Sequence, residues 1–415
     1  MRTALLPVLA LIALLGTARA DSLPDPAALH LSDLDTLIIQ RNRALISARR
    51  ATAAAEAGLT QAGARPNPSV SLNRSRFTTR RPEGIGNIQD TVLRIDQPFE
   101  RGGKRELRLA VAEALVAASK ADEADSLRQQ QWAARQAYFD LKAGEERARL
   151  SRESAQLARD LLNKAELRLK AGDLSPAEVA RIRTDSLRAA SEATLAGVEL
   201  QRLRRELATL LALEAEAGRL ASADPWPALT PLPAVNPDPA QRPDIAAARQ
   251  RLAAAEQAIA LARAQQVRDV TVGAQFERDQ TIGNSNLFGV GLSIPLFTGY
   301  DYQGEISRAH VDRDSQQDEL ERLEAQALAE FTQARLETEQ LGERARELRD
   351  QALPAARKAF QAVQLAFNHG AASALELIDA RRSLHAVEID TIQALADAAK
   401  ARAAWSAALN RRELP

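Results

Sequence analysis

The chain has 415 residues, with 55 Lys and Arg against 55 Asp and Glu, four His and no Cys. A neutral total excludes the basic surface that general nucleic-acid binding needs, so no nucleic-acid partner is expected. The absence of Cys excludes disulfides, thiolate metal sites, a Cys nucleophile and lipid attachment through cysteine.

Residues 1–20 read as a signal peptide. Met1-Arg2 is a basic start, Ala4 to Leu15 an apolar run too short to span a bilayer, and Ala18-Arg19-Ala20 a cleavage site. No later window offers about 18 uninterrupted apolar residues, so entry into a membrane would require a closed β-barrel. From residue 21 the chain reads as two copies of one pattern, 21–223 and 244–415. Ala44-Leu45-Ile46-Ser47-Ala48-Arg49 matches Asp244-Ile245-Ala246-Ala247-Ala248-Arg249, and Gln97-Pro98-Phe99 with Gly102 matches Ile294-Pro295-Leu296 with Gly299. Leu169-Lys170-Ala171-Gly172 with Ser175 and Glu178 matches Phe367-Asn368-His369-Gly370 with Ser373 and Glu376. The offset falls from 200 to 197 between the first two landmarks, which gives the first copy the longer insert there.

Each copy begins with a helix and then carries a strand pair. In the first copy the pair falls at about 68–98, with Pro82-Glu83-Gly84-Ile85-Gly86-Asn87 as its loop. In the second it falls at about 270–296. Val270, Val272, Ala274 and Phe276 alternate with polar or small residues, as do Phe288, Val290, Leu292, Ile294 and Leu296, around Gly283-Asn284-Ser285-Asn286. Strands of about ten residues suit a tilted bilayer-spanning hairpin, and seven of the 15 aromatics lie in or beside these windows, as interfacial girdles would. Arg74 and Arg76 interrupt the apolar face begun by Val70 and Leu72, so that face is short or its outer end lies in water. Four strands cannot close a barrel. Two chains would give eight strands with a filled interior, three would give 12 with a lumen, and the small residues on the inner face favour three.

After each strand pair comes a long helix. Arg105 to Lys170 has no proline and carries Leu150, Leu157 and Leu161 at coiled-coil spacing, a rod of about 100 Å. The return stretch carries Leu200, Leu203, Leu207 and Leu210, and the second copy Leu320, Leu323, Leu341 and Leu348. A Pro-rich connector, 224–243, joins the copies. The hairpin tips share one device. Gly172 and Gly370 end a helix, and Ser175-x-x-Glu178 and Ser373-x-x-Glu376 are capping boxes that start the next. Glu376 and Asp379 lie on one face of the first turn and in a three-fold assembly would form a ring of carboxylates. Helix periodicity alone fits a coiled-coil scaffold equally well; the paired strands decide the class. No enzyme is expected: the four His form no zinc spacing, Gly102-Gly103-Lys104 lacks the P-loop spacing, and neither a metal nor a cofactor is called for.

These residues resemble the TolC-type outer membrane factors over the whole mature chain. Gln97-Pro98-Phe99-Glu100-Arg101-Gly102-Gly103-Lys104-Arg105 is similar to their heavy-metal cation-efflux (CzcC-like) branch. The resemblance implies a mainly α-helical chain with a membrane β-barrel portion. Its hairpins would form an α-barrel, and its four strands one third of a 12-stranded trimeric barrel in the lipid of the Gram-negative outer membrane, extending into the periplasm. It implies a passive exit duct for substrate, with heavy-metal cations as one cargo, fed by a periplasmic adaptor and a proton-driven inner-membrane pump of the RND type. It carries adaptor docking onto Gly172, Leu174, Ser175, Gly370, Ala372 and Ser373, and a periplasmic gate onto Glu376 and Asp379. Drug efflux, type I protein secretion and a soluble periplasmic adaptor are the alternatives.

Overall fold

A computed structural model describes residues 25–81, 84–279 and 285–410. The expected signal peptide lies outside the described residues, as do Pro82 and Glu83 of the first expected loop and Gly283 and Asn284 of the second.

Helices α1 (Leu31–Arg41) and α2 (Arg43–Ala62) meet at Asn42, whose side-chain oxygen caps the Leu45 N–H at 3.0 Å while its amide donates to the Leu210 carbonyl at 2.9 Å. One side chain therefore both starts α2 and ties it to a distant helix. Helix α3 (Lys104–Ala171) has 68 residues, hence a length of about 100 Å, and α4 (Pro176–Leu211) returns along it. The second half repeats this order with α5 (Pro243–Ala264), α6 (Gln303–Glu347), α7 (Leu353–Asn368) and α8 (Ala374–Ala408). Between α6 and α7 the helical path continues through a π turn, Leu348–Ala352. Pro354 lies just beyond. It supplies no N–H and crowds the preceding turn, and the wider turn absorbs the mismatch without ending the rod.

Helix α3 packs against α2, α4, α5 and α8, so both halves of the chain share one body. Leu34, Leu37 and Ile38 of α1, Tyr138 and Leu141 of α3, and Leu207 and Leu211 of α4 are fully buried together. Each such Leu or Ile contributes roughly 1.5–3 kcal/mol of hydrophobic stabilisation. The connector is held at its start. Asp224 accepts from the Leu31 N–H at 2.7 Å and lies 2.8 Å from His30 Nδ1, and its own N–H donates to the Tyr138 hydroxyl at 3.1 Å.

Toward the tips, of the leucine seam expected at 150, 157 and 161, Leu150 and Leu161 are half-buried and pack against small cores, while Leu157 does not. The buried face of α3 there is Ser151, Ser154, Ala155, Ala158 and Ala165, while Leu157 stays 49% exposed. Small side chains let the helices approach closely, with the leucines packing along the flanks of that contact.

The strands β1 (Ser69–Arg81), β2 (Gly84–Phe99), β3 (Val270–Asp279) and β4 (Ser285–Ser293) form one antiparallel sheet in that order. The two halves meet at β2–β3, with Asp90 opposite Asp279 and Phe99 opposite Val270. The first hairpin is longer than expected: Gly84 to Asn87 belong to β2, and Arg81 pairs with Gly84. Turn-forming composition was overridden there by ladder pairing with β1. Ser285 and Asn286 likewise open β4 instead of forming a turn. Strand β4 stops at Ser293 rather than 296, since Pro295 has no N–H to offer a ladder. Among the described residues no helix is long and apolar enough to cross a membrane.

Candidate functional site

Register fixes what each face of the sheet presents, because residues directly opposite one another share a face. Val70, Ile95, Ala274 and Val290 form one row; Leu72, Leu93, Phe276 and Phe288 form the next. Val272 and Leu292 continue this face toward the helices, with Gln97 beside them. The Gln97 amide donates to the carbonyls of Pro66 (3.0 Å) and Pro98 (2.9 Å), so a polar group on the apolar face is satisfied within the chain. Among the described residues no element covers this face. Val290 is 91% and Phe288 84% exposed, and the Phe276 and Phe288 rings meet at a tilt with centroids 5.2 Å apart. A row containing Arg74, Thr91, Arg278 and Asn286 ends the band at its far edge. Arg76, opposite Gln89, lies beyond the end of β3, so the apolar face of the first hairpin is short because that hairpin projects past the second.

The opposite face is polar and in part bare. Gly273, Gly289 and Gly291 lie on it, with Arg94, Asp96, Gln275, Glu277, Asp90 and Asp279. Arg94 Nε is 2.7 Å from Asp96 Oδ2, and the pair lies flat over Gly273, where a Cβ would meet Asp96 Oδ1 at 2.3 Å and Arg94 Nη2 at 3.0 Å. The glycines thus provide space for long side chains lying along the sheet. Among the residues just named, four carboxylates accompany one guanidinium.

About 100 Å away, at the far ends of the long helices, the tips pack side by side. Ala165, Val179, Ile182, Ala374 and Ile378 form a small core with Leu169, Leu174 and Phe367 against it, and the Arg168 guanidinium stands 5.7 Å from the Phe367 ring centroid. Gly172 and Gly370 take φ of 85° and 76°, the left-handed conformation that a side chain disfavours. Both capping boxes close. Ser175 and Ser373 accept from the Glu178 and Glu376 N–H at 3.2 Å, and each Glu carboxylate accepts from the Ser N–H in return. Those contacts, the Ser373 N–H first and its hydroxyl second, hold the Glu376 carboxyl below its ordinary pKa.

Residues 239–411, the second half of this duplicated pattern, match the family model "Outer membrane efflux protein". That half of the chain carries the outer membrane efflux protein pattern. The chain is 27% identical over 383 residues to the cobalt-zinc-cadmium resistance protein CzcC of Cupriavidus metallidurans, covering 90% of this chain and 88% of that one. It is 28% identical over 403 residues to the pyoverdine export outer membrane protein OpmQ of Pseudomonas putida, covering 89% and 84%. The crystal structure of the outer membrane protein VceC of Vibrio cholerae shares its fold with a TM-score of 0.73 at 21% identity, covering 92% and 96%.

The residues singled out from sequence fall at the tips but differ in surroundings. Gly172, Ser175, Gly370, Ser373, Glu376 and Asp379 are exposed, Ala372 is half-buried, and Leu174 packs against the tip core. Glu376 is occupied as a cap, whereas Asp379, one turn on, carries no capping contact. Sequence reading missed a buried ion cluster about two turns in from the start of α8. Arg381 donates to Asp185 Oδ2 at 2.5 Å and to Ser154 Oγ at 2.6 Å, and Arg382 donates to Asp185 Oδ1 at 2.9 Å. Asp185 is 2% and Arg381 8% exposed. The cluster ties α8 to both helices of the first long hairpin. Among the described residues no group of three or more His, Asp or Glu is placed to hold a metal ion.

Proposed function

We propose that three copies of this chain close their sheets into a 12-stranded barrel in the outer membrane, with their long hairpins forming a coaxial helical tube into the periplasm. The uncovered apolar sheet face carries this reading. Lipid is the solvent that leaves such a face stable, and the unpaired edges of β1 and β4 need partners there. Exposed Leu157, Leu187, Leu195, Leu328 and Leu336 on the helices supply apolar surface for contact between copies. In this reading 1–20 is the export signal, 21–223 and 244–415 are the repeats, and 224–243 joins them.

The duct performs no chemistry. Substrate arrives from an inner-membrane pump, of the proton-driven RND type, through a periplasmic adaptor that docks at Gly172, Leu174, Ser175, Gly370, Ala372 and Ser373. Heavy-metal cations are the cargo we favour. The likeness to the cobalt-zinc-cadmium resistance protein supports this, and so does the acidic sheet face that would line the lumen. The likeness to the pyoverdine export protein supports a second reading, an organic cargo.

Oligomeric state tests the core of the proposal. The mature protein is expected to need detergent and to run as a trimer in it; a monodisperse monomer in plain buffer would overturn the reading. The gate is tested by conductance of the reconstituted trimer. Asp379→Asn is expected to raise it severalfold, and Glu376→Gln to change it less because that carboxylate serves its capping box. Equal conductance in wild type and Asp379→Asn would reduce Asp379 to a surface residue. At the docking tips, Gly172→Val and Gly370→Val are expected to weaken adaptor crosslinking while trimers persist.

A further inference from the structure

The outward sheet face ends on arginine at both edges. At the far edge stand Arg74 and Arg278. At the edge nearer the helices, the last register pair on this face is Phe99 with Val270, and two residues beyond each stand Arg101 and Arg268. From Thr91 to Arg101 is ten residues. At about 3.3 Å per residue and ~40° of tilt, the apolar band between the two charged rows is about 25 Å tall. That is the height of the lipid-facing band of an outer-membrane barrel.

The helix-side edge also carries the chemistry of a membrane interface. Arg101 and Arg268 are exposed, and among the described residues neither guanidinium has a carboxylate partner. The nearby Asp269 is satisfied instead by Lys104 Nζ at 2.8 Å and the Arg101 N–H at 3.0 Å. The Arg268 guanidinium lies 5.6 Å from the centroid of Phe297, which stacks edge-on with Tyr302 at 5.3 Å. A cavity of about 620 Å³ opens alongside, lined by Arg65, Lys104, Arg105, Gln97 and Phe99 together with Glu106 and with Glu100, whose carboxylate is taken up by Arg108. Arg105 is fixed there by a bond from its Nε to the Gly63 carbonyl at 2.7 Å, with the exposed Glu106 carboxylate at 3.9 Å from its Nη1, and Arg65 is exposed.

We infer that this strand–helix junction binds the phosphate of an anionic phospholipid in the periplasmic leaflet, through Arg101, Arg268, Arg65 and Arg105. A lipid fits better than a free anion because the same surface continues without interruption into the uncovered apolar rows. A headgroup held at the arginines lays its acyl chains along Phe99, Ile95 and Val272. The inference rests on the barrel reading above, since it requires that face to meet lipid.

The test uses the full-length trimer, reconstituted in vesicles of equal parts phosphatidylcholine and phosphatidylglycerol, extracted, and weighed intact by native mass spectrometry. Wild type is expected to retain phosphatidylglycerol. Arg101→Gln/Arg268→Gln is expected to weaken retention by about 25-fold, taking about fivefold per arginine near an anionic surface. Arg101→Lys/Arg268→Lys is expected to stay within severalfold of wild type, which separates charge from folding. Equal retention by wild type and the Gln pair overturns the inference. Displacement of the lipid by millimolar inorganic phosphate also overturns it, showing a site for a free anion. A protein that is monomeric in plain buffer fails the barrel reading itself, a different result from a trimer that retains no lipid.

Discussion

Asp185→Ala is expected to loosen the periplasmic ends of the helices more than any single change at the tips themselves. The substitution leaves Arg381 buried with its charge uncompensated, and removing one partner of a buried pair costs about 3–5 kcal/mol. Arg382 loses its contact to the same carboxylate. The cost falls locally because the cluster joins α8 to α3 and α4 beside a tip core made mostly of small residues. Hydrogen exchange should therefore accelerate around 374–385 while the body near Tyr138 keeps its protection. Conductance of the reconstituted channel should rise if the tips close the duct. Asp185→Leu combined with Arg381→Met removes both charges and should recover most of the lost protection. If Asp185→Ala exchanges like wild type, the cluster is not what ties α8 to the first hairpin.

Gly102→Ala is expected to reduce the yield of folded trimer sharply. Gly102 has φ +73°, and a Cβ there would lie 2.8 Å from the Val267 Cβ. Neither atom can rotate away, because both are fixed to backbone. The left-handed conformation costs an L-residue about 1–2 kcal/mol, and forced overpacking typically adds about 1–3. The strain falls where β2 turns into α3, so it should disturb the joint between sheet and rods. Val267→Gly in the same chain should restore part of the yield by removing the clash, leaving the φ strain. Val267→Ala should not, since it keeps the Cβ. Gly299, its match by sequence, has open space around it and no left-handed φ, so Gly299→Ala should be nearly silent.

That pair shows how far the sequence could be read. The landmark Gly102/Gly299 was visible, but its meaning was not, because the second copy takes its left-handed turn at Tyr302 (φ 66°) instead of at a glycine. The strand pairs were legible because period-two alternation survives without tertiary context. Their ends were not, since Gly84 to Asn87 look like a loop until β1 is laid beside them. The tips were legible because glycine, capping serine and glutamate act within one turn. The alanine face of α3 was hidden because small buried residues leave no periodic contrast with small exposed ones. The Asp185–Arg381 cluster was hidden for a different reason: its members are 196 residues apart in sequence, and only the packing of α8 against the first hairpin brings them together.

The order β1-β2-β3-β4 has a consequence for assembly. The two free edges come from different halves of the chain, so in the closed ring proposed above each sheet seam is heterologous, β1 of one molecule against β4 of the next. Such a seam has a direction. A molecule whose β1 is damaged still offers an intact β4, so it can join a growing ring but cannot finish it. In a cell making both forms, the defective copy would poison its neighbours out of proportion to its abundance.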